Sequence, residues 1–216
     1  MNLELIKRWR LYVITDEVLS GGRSHLQIAR ETISGGADVI QLRDKSANSK
    51  KLYSLGCQIR KLTRRKGVSF IVNDRLDLAL ATDADGLHIG QNDLPVKIAR
   101  KWLGYNKILG VSATTLEEAV IAEKEGADYL GVGPIYEARN TKSDAGEPLG
   151  LALLQKIRLQ CKIPLVAIGG IQIENIEEVF QAGADVVAII SAIVTNENIT
   201  LATEALKRRI TKVVNK

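Results

Sequence analysis

Cysteine is scarce: Cys57 and Cys161 are the only two in 216 residues. A pair so far apart builds neither a disulfide framework nor a thiolate metal cluster. Both lie in patterns that read as helix, and we read them as packing residues of a reducing compartment. Aromatic residues make up 4% of the chain, and no basic cluster is flanked by them, which argues against a surface that stacks nucleic-acid bases. No apolar run approaches the ~20 residues of a membrane span. Met1 to Arg10 is charged and lacks the apolar core of a signal peptide. The expectation is a cytoplasmic protein with neither a nucleic-acid nor a membrane partner; the sequence leaves a homodimer open. Also missing is a Gly-x-Gly-x-x-Gly turn after the first apolar run, which a dinucleotide-binding open sheet would carry.

What is present is a composition of 45% hydrophobic and 25% charged residues, suited to a soluble globular fold, here one domain over residues 1–216. The net charge of +5 and pI near 9.2 suit small anionic ligands. The densest basic run, Arg60 to Lys66, has helical apolar partners and reads as a solvated helix face. Short apolar runs at Leu11 to Thr15, Val39 to Leu42, Phe70 to Val72, Leu87 to Ile89, Ile108 to Val111, Tyr129 to Val132, Leu165 to Ile168 and Val186 to Ile190 read as strands. Amphipathic segments alternate with them, and Ser24 and Thr114 or Thr115 are marked as helix starts. Ala37-Asp38, Ala84-Asp85, Ala127-Asp128 and Ala184-Asp185 each precede an apolar run, a weak internal repeat that marks every second strand. Continuous apolar runs, as opposed to alternating ones, belong to parallel strands covered by helices. Eight such pairs in a chain of this length predict an α/β fold, a TIM (β/α)8 barrel.

Active sites of such barrels lie just beyond the C-terminal strand ends. Asn73-Asp74 follows the third run and Gly90-Gln91-Asn92-Asp93 the fourth. Parallel neighbours would bring Asp74 and Asp93 together, a pair suited to a hard cation such as Mg²⁺. The alternative is that both aspartates cap helices, Asp93 before Leu94-Pro95. After the second run, Gln41, Arg43 and Lys45 share one strand face. Two cations there imply an anionic ligand or pairing with Asp74 and Asp93. Ser112 caps the next helix or touches a ligand, capping being the commoner role of an isolated serine. The polar loop from Tyr136 to Gly150 contains Lys142, a candidate to close over a phosphate. Gly169-Gly170 after the seventh run and Ser191 after the eighth suggest a backbone anion cup, in preference to tight packing at a crowded turn.

These segments together resemble the thiamine phosphate synthase family. The likeness runs from Leu11 to Ile193 through Tyr12-Val13-Ile14-Thr15-Asp16, Gln41-Leu42-Arg43-Asp44-Lys45, Asn73-Asp74-Arg75, His88 to Asp93, Gly110-Val111-Ser112, Gly131 to Tyr136, Thr141-Lys142, Ala167 to Ile171 and Ile190 to Ile193. It implies a barrel transferase that couples hydroxymethylpyrimidine pyrophosphate to hydroxyethylthiazole phosphate and releases pyrophosphate. It further implies Mg²⁺ on Asp74 and Asp93, and chemistry supported by Arg43, Lys45, Ser112 and Lys142. Substrate contacts would come from Gln41, Leu42, Arg43, Asp44, Lys45, Asn73, Ser112, Arg139, Asn140, Thr141, Lys142, Gly170, Ile190 and Ser191. The family usually has Pro-Thr-x-Thr-Lys in the sixth loop, where this chain has Ala138-Arg139-Asn140-Thr141-Lys142. A related thiazole tautomerase typically lacks the metal aspartates and the intact amide and basic cluster, both kept here. A silent phosphate-binding barrel is the reading from another class.

Overall fold

The computed structural model describes residues 2–137 and 147–215. Strands β1 (Leu11–Ile14), β2 (Val39–Leu42), β3 (Ser69–Asn73), β4 (Gly86–Ile89), β5 (Ile108–Ala113), β6 (Tyr129–Val132), β7 (Leu165–Ile168) and β8 (Val186–Ile189) pair in chain order. All neighbours are parallel and β8 returns to β1, so the eight strands close into the expected barrel without an edge. Outside it pack α2 (His25–Ser34), α3 (Ser49–Lys66), α4 (Leu76–Ala81), α5 (Val96–Leu103), α6 (Leu116–Lys124), α7 (Gly150–Gln160), α8 (Ile176–Gln181) and α10 (Ile199–Val214). Two short helices escape periodicity, α1 (Asn2–Ile6) and α9 (Ser191–Val194), because one turn shows no amphipathic repeat. No helix among the described residues is long and apolar enough to cross a membrane.

Helix starts follow their local chemistry. Ser24 accepts the N–H of Gln27, and Thr115 forms a reciprocal capping box with Glu118. Asp93 and Ser112 are not caps: Pro95 occupies the start of α5, and Ser112 lies inside β5. Each cysteine meets half of its expectation, Cys57 in being helical and Cys161 in being a packing residue. Cys57 is exposed on α3, and Cys161 is buried in extended backbone just beyond α7.

Side chains alternate along each strand, and the inward set fills the barrel in layers. At the N-terminal end Trp9 meets the rings of Tyr12 and Tyr129 edge-on, with centroids 6.0 and 5.7 Å away. Its indole N–H donates to Ser69 Oγ at 3.0 Å. Room for the Tyr129 ring comes from Gly110, its partner on the neighbouring strand β5, where a Cβ would sit 2.0 Å from Cζ of Tyr129.

The Ala-Asp repeat has a mechanical role at this end. Oδ2 of Asp38 accepts the N–H of Leu11, and Asp85, Asp128 and Asp185 likewise accept those of Phe70, Leu109 and Leu165. Each carboxylate on an even strand therefore ties down the start of the odd strand before it. A cation from an outer helix backs each one: Lys207 of α10, Arg60 of α3, Arg100 of α5 and Arg158 of α7. The pairs differ in burial, from Arg100 at 4% side-chain exposure to Asp185 at 46%. Burial should grade their worth, because the lost partner of a buried charge is not replaced by water. Asp128→Asn should cost about 3 kcal/mol in urea denaturation, and Asp185→Asn about 1 kcal/mol or less. Equal losses would show that the shared backbone contact matters and the cation does not.

Candidate functional site

A cavity of about 390 Å³ opens at the C-terminal ends of the strands. Strand alternation aims Gln41, Arg43 and Lys45 into it from β2 and its extension, while Asn73 enters from the end of β3, Asp74 just after it, Asp93 after β4 and Ser112 from β5. Gly169, Gly170, Ile190 and Ser191 form the opposite wall. The same alternation places Leu42 in the buried core and keeps both Leu42 and Asp44 off the cavity wall. Asp44 turns back into its own loop. Burial would raise its carboxyl, yet the hydroxyl and N–H of Ser46 and the N–H of Ala47 all donate to it and bring it down to about 2. Arg139, Asn140, Thr141 and Lys142 lie outside the described residues.

Asp74 sits at φ 60°, in the left-handed region, with its N–H donating to the carbonyl of His88 at 2.8 Å. That conformation is uncommon for a side chain with a Cβ and turns the carboxyl toward Asp93. Burial, then the hydrogen bond and charge of Asp93, raise Asp74 from 3.8 to about 6, although Lys45 and Arg43 pull the other way. Asp93 is itself held by the N–H of Gly90, which donates to Oδ2 at 2.7 Å. Two converging carboxyl groups that resist joint ionisation are a donor set fitted to a hard divalent cation.

Across the mouth, Gly169 and Gly170 have φ of 99° and 64°. A Cβ on Gly170 would lie 2.7 Å from Cβ of Tyr136 and 2.8 Å from the carbonyl of Glu137. The turn is thus crowded as well as open to an anion, so the packing explanation set aside in the sequence holds too. Asn175 keeps its shape by donating to the carbonyl of Gly170 at 3.0 Å.

Sequence reasoning missed a buried polar chain on the cavity floor. Gln41 Nε2 donates to the Tyr12 hydroxyl at 2.8 Å, and Tyr12 and Tyr129 share a hydrogen bond of 3.0 Å. His88 Nδ1 lies 2.9 Å from the Tyr129 hydroxyl, and its Nε2 lies 2.9 Å from Ser112 Oγ. Gln41, Tyr12, Tyr129, His88 and Ser112 thus form one continuous hydrogen-bonded chain, in which only the Gln41 amide has a fixed role as donor. His88 bridges Tyr129 and Ser112 through its two ring nitrogens and so links the cavity floor to the serine on β5. Burial pushes both phenols up, so they stay protonated. The tyrosines went unnoticed because they sit inside apolar runs, where only their rings register.

The carboxyl pair makes a stability prediction. A folded-state pKa raised above 3.8 penalises the fold once pH passes about 6 and not below the unfolded value. At about pH 7.5 without divalent metal, Asp74→Asn should therefore melt above wild type, and the gain should vanish near about pH 4. A lower melting temperature at the higher pH would mean that Lys45 and Arg43 outweigh Asp93.

Residues 11–193 match the family model described as thiamine monophosphate synthase. A thiamine-phosphate synthase of Chloroflexus aurantiacus is 51% identical over 207 residues, covering 96% of this chain and 95% of that protein. One from Methanospirillum hungatei is 53% identical over 192 residues, with 89% and 93% covered. Among solved structures, the thiamine phosphate pyrophosphorylase from Pyrococcus furiosus superposes with a TM-score of 0.89 at 42% identity, covering 97% of this chain and 99% of that one.

Proposed function

The chain belongs to the thiamine monophosphate synthase family, and from that premise we propose that its cavity joins hydroxymethylpyrimidine pyrophosphate to hydroxyethylthiazole phosphate with release of pyrophosphate. The observation that carries this reading is the pairing, in one cavity, of a cationic and carboxylate wall with a glycine-lined wall opposite. One barrel domain over residues 1–216 would supply both halves, working in the cytoplasm.

Asp74 and Asp93 would hold Mg²⁺, which when bound neutralises charge on the pyrophosphate. Arg43 and Lys45 bring fixed positive charge to the same oxygens as the bond between the pyrimidine methylene carbon and the leaving oxygen breaks, the electron pair going to oxygen. Gln41 and Asn73 orient the pyrimidine end, and Ser112, held by His88 at 2.9 Å, contacts the same substrate. Gly170, Ile190 and Ser191 would anchor the thiazole phosphate on the other side, so that the ring nitrogen faces the methylene cation and closes the new C–N bond. No side-chain nucleophile takes part. Lys142, with Arg139, Asn140 and Thr141, enters through the sequence resemblance as the element that closes over the pyrophosphate and keeps water from the cation.

Pyrophosphate release is the deciding measurement. It should require both substrates and Mg²⁺, and either Asp74→Asn or Asp93→Asn should suppress it severely while the circular dichroism stays native. Release that proceeds unchanged without the thiazole phosphate would mean hydrolysis in place of coupling. Lys142→Ala should remove a charge-assisted contact of about 1.5 to 3 kcal/mol, roughly one to two decades in rate. Full turnover of that variant, with loss in Arg139→Ala, would transfer the role to Arg139.

A further inference from the structure

Behind the β2 end of the cavity, on the outer side of the barrel, Glu17, His25 and Asp44 bring one nitrogen and two carboxylate oxygens within 4.8 Å of one another. We propose that these three residues form a second metal site, for a divalent transition ion of the zinc type, separate from the Asp74 and Asp93 pair and independent of the reading above.

The imidazole is the informative member. His25 is 1% exposed, and its Nε2 has no hydrogen-bond partner among the described protein atoms. Its Nδ1 lies 2.7 Å from Thr15 Oγ1, and that hydroxyl donates to the carbonyl of Gln41 at 3.2 Å. With the threonine proton committed there, its oxygen accepts from Nδ1–H. Neutral His25 therefore carries its lone pair on Nε2. Burial favours that neutral form, against the pull of Glu17 and Asp44.

This lone pair faces Asp44 Oδ2 at 3.4 Å and Glu17 Oε1 at 3.9 Å. Three electron-rich atoms repel one another unless a cation lies between them. Both separations are long for a hydrogen bond from an imidazolium. The 3.4 Å separation from Asp44 matches the ~3.3 Å between ligand atoms about a tetrahedral ion with bonds of ~2.0 to 2.1 Å, and Glu17, at 3.9 Å, would close in by about half an ångström.

The surroundings already do what outer partners do at metal sites, which is to fix the ligand tautomer and hold the carboxylates. Three donors from Ser46 and Ala47 occupy Asp44 Oδ1, leaving Oδ2 for His25. The backbone N–H of His25 donates to Glu17 Oε1 at 3.1 Å and orients that carboxylate. Lys51 also faces the cluster, 3.4 Å from the other oxygen of Glu17. One imidazole with two carboxylates selects a borderline ion over Mg²⁺, which prefers an all-oxygen shell. An ion here would staple the loop after β1 to the loop after β2, directly behind Arg43 and Lys45.

The chain has two histidines, so imidazole nitrogen resonances report the site without ambiguity. The full-length Asp74→Asn/Asp93→Asn variant, labelled with ¹⁵N and titrated with Zn²⁺, keeps the cavity carboxylates from competing. One equivalent should shift the Nε2 resonance of His25, leave that of His88 in place and raise the melting temperature. Glu17→Gln in the same background, a partly exposed position that folding should tolerate, should weaken Zn²⁺ binding at least about tenfold. His25 resonances that stay fixed through stoichiometric Zn²⁺, or unchanged affinity in Glu17→Gln, would overturn the proposal.

Discussion

At the start of every odd strand the barrel spends a carboxylate on one backbone N–H, and the helix outside supplies the balancing cation. Each contact locks two neighbouring strands and a helix in one register. Closure depends on that register, since a closed sheet tolerates no slip at any single pair. With the N-terminal end held by ion pairs and by Trp9 packed on Tyr12 and Tyr129, the opposite end carries little of the structural load. It is there that the charges of the cavity are gathered.

The two ends treat like chemistry in opposite ways. Below, every aspartate of the repeat meets a cation and a backbone donor. Above, Asp74 meets Asp93 from a left-handed backbone position, so that burial and like charge both oppose its ionisation. Such a concentration of unfavourable charge is maintained at the expense of stability and is what a functional site would require. Below, the aspartates act on the backbone of the strand starts.

Much of the barrel was legible because continuous apolar runs leave few ways to place a buried parallel strand. The repeat was legible as a pattern, but its purpose was not, since no spacing shows which backbone N–H an aspartate reaches. Site residues on strand ends, such as Gln41, Arg43 and Lys45, followed from alternation alone. Leu42 and Asp44 were drawn in with their neighbours by a contiguous motif, although alternation sends them elsewhere. The hydrogen bonds of Tyr12, Tyr129 and His88 were hidden for the opposite reason: a polar group buried in an apolar run announces its partners only when they, distant in sequence, are brought beside it. Ser112 was legible as a polar group at a strand end, yet its contact with His88 on the neighbouring strand was not.

The cation behind Asp38 comes from α10, the last helix, whereas the other three come from the helix that immediately precedes the odd strand. Around the ring, α10 stands just before β1 in the same way that α3 stands before β3. The pattern therefore runs through the place where the chain begins and stops as though it were an ordinary connection. In topological terms the molecule is a cycle of four equivalent quarters cut at one of four interchangeable seams. The junction from α10 to β1 is therefore equivalent, in its rim contacts, to the junctions from α3 to β3, α5 to β5 and α7 to β7.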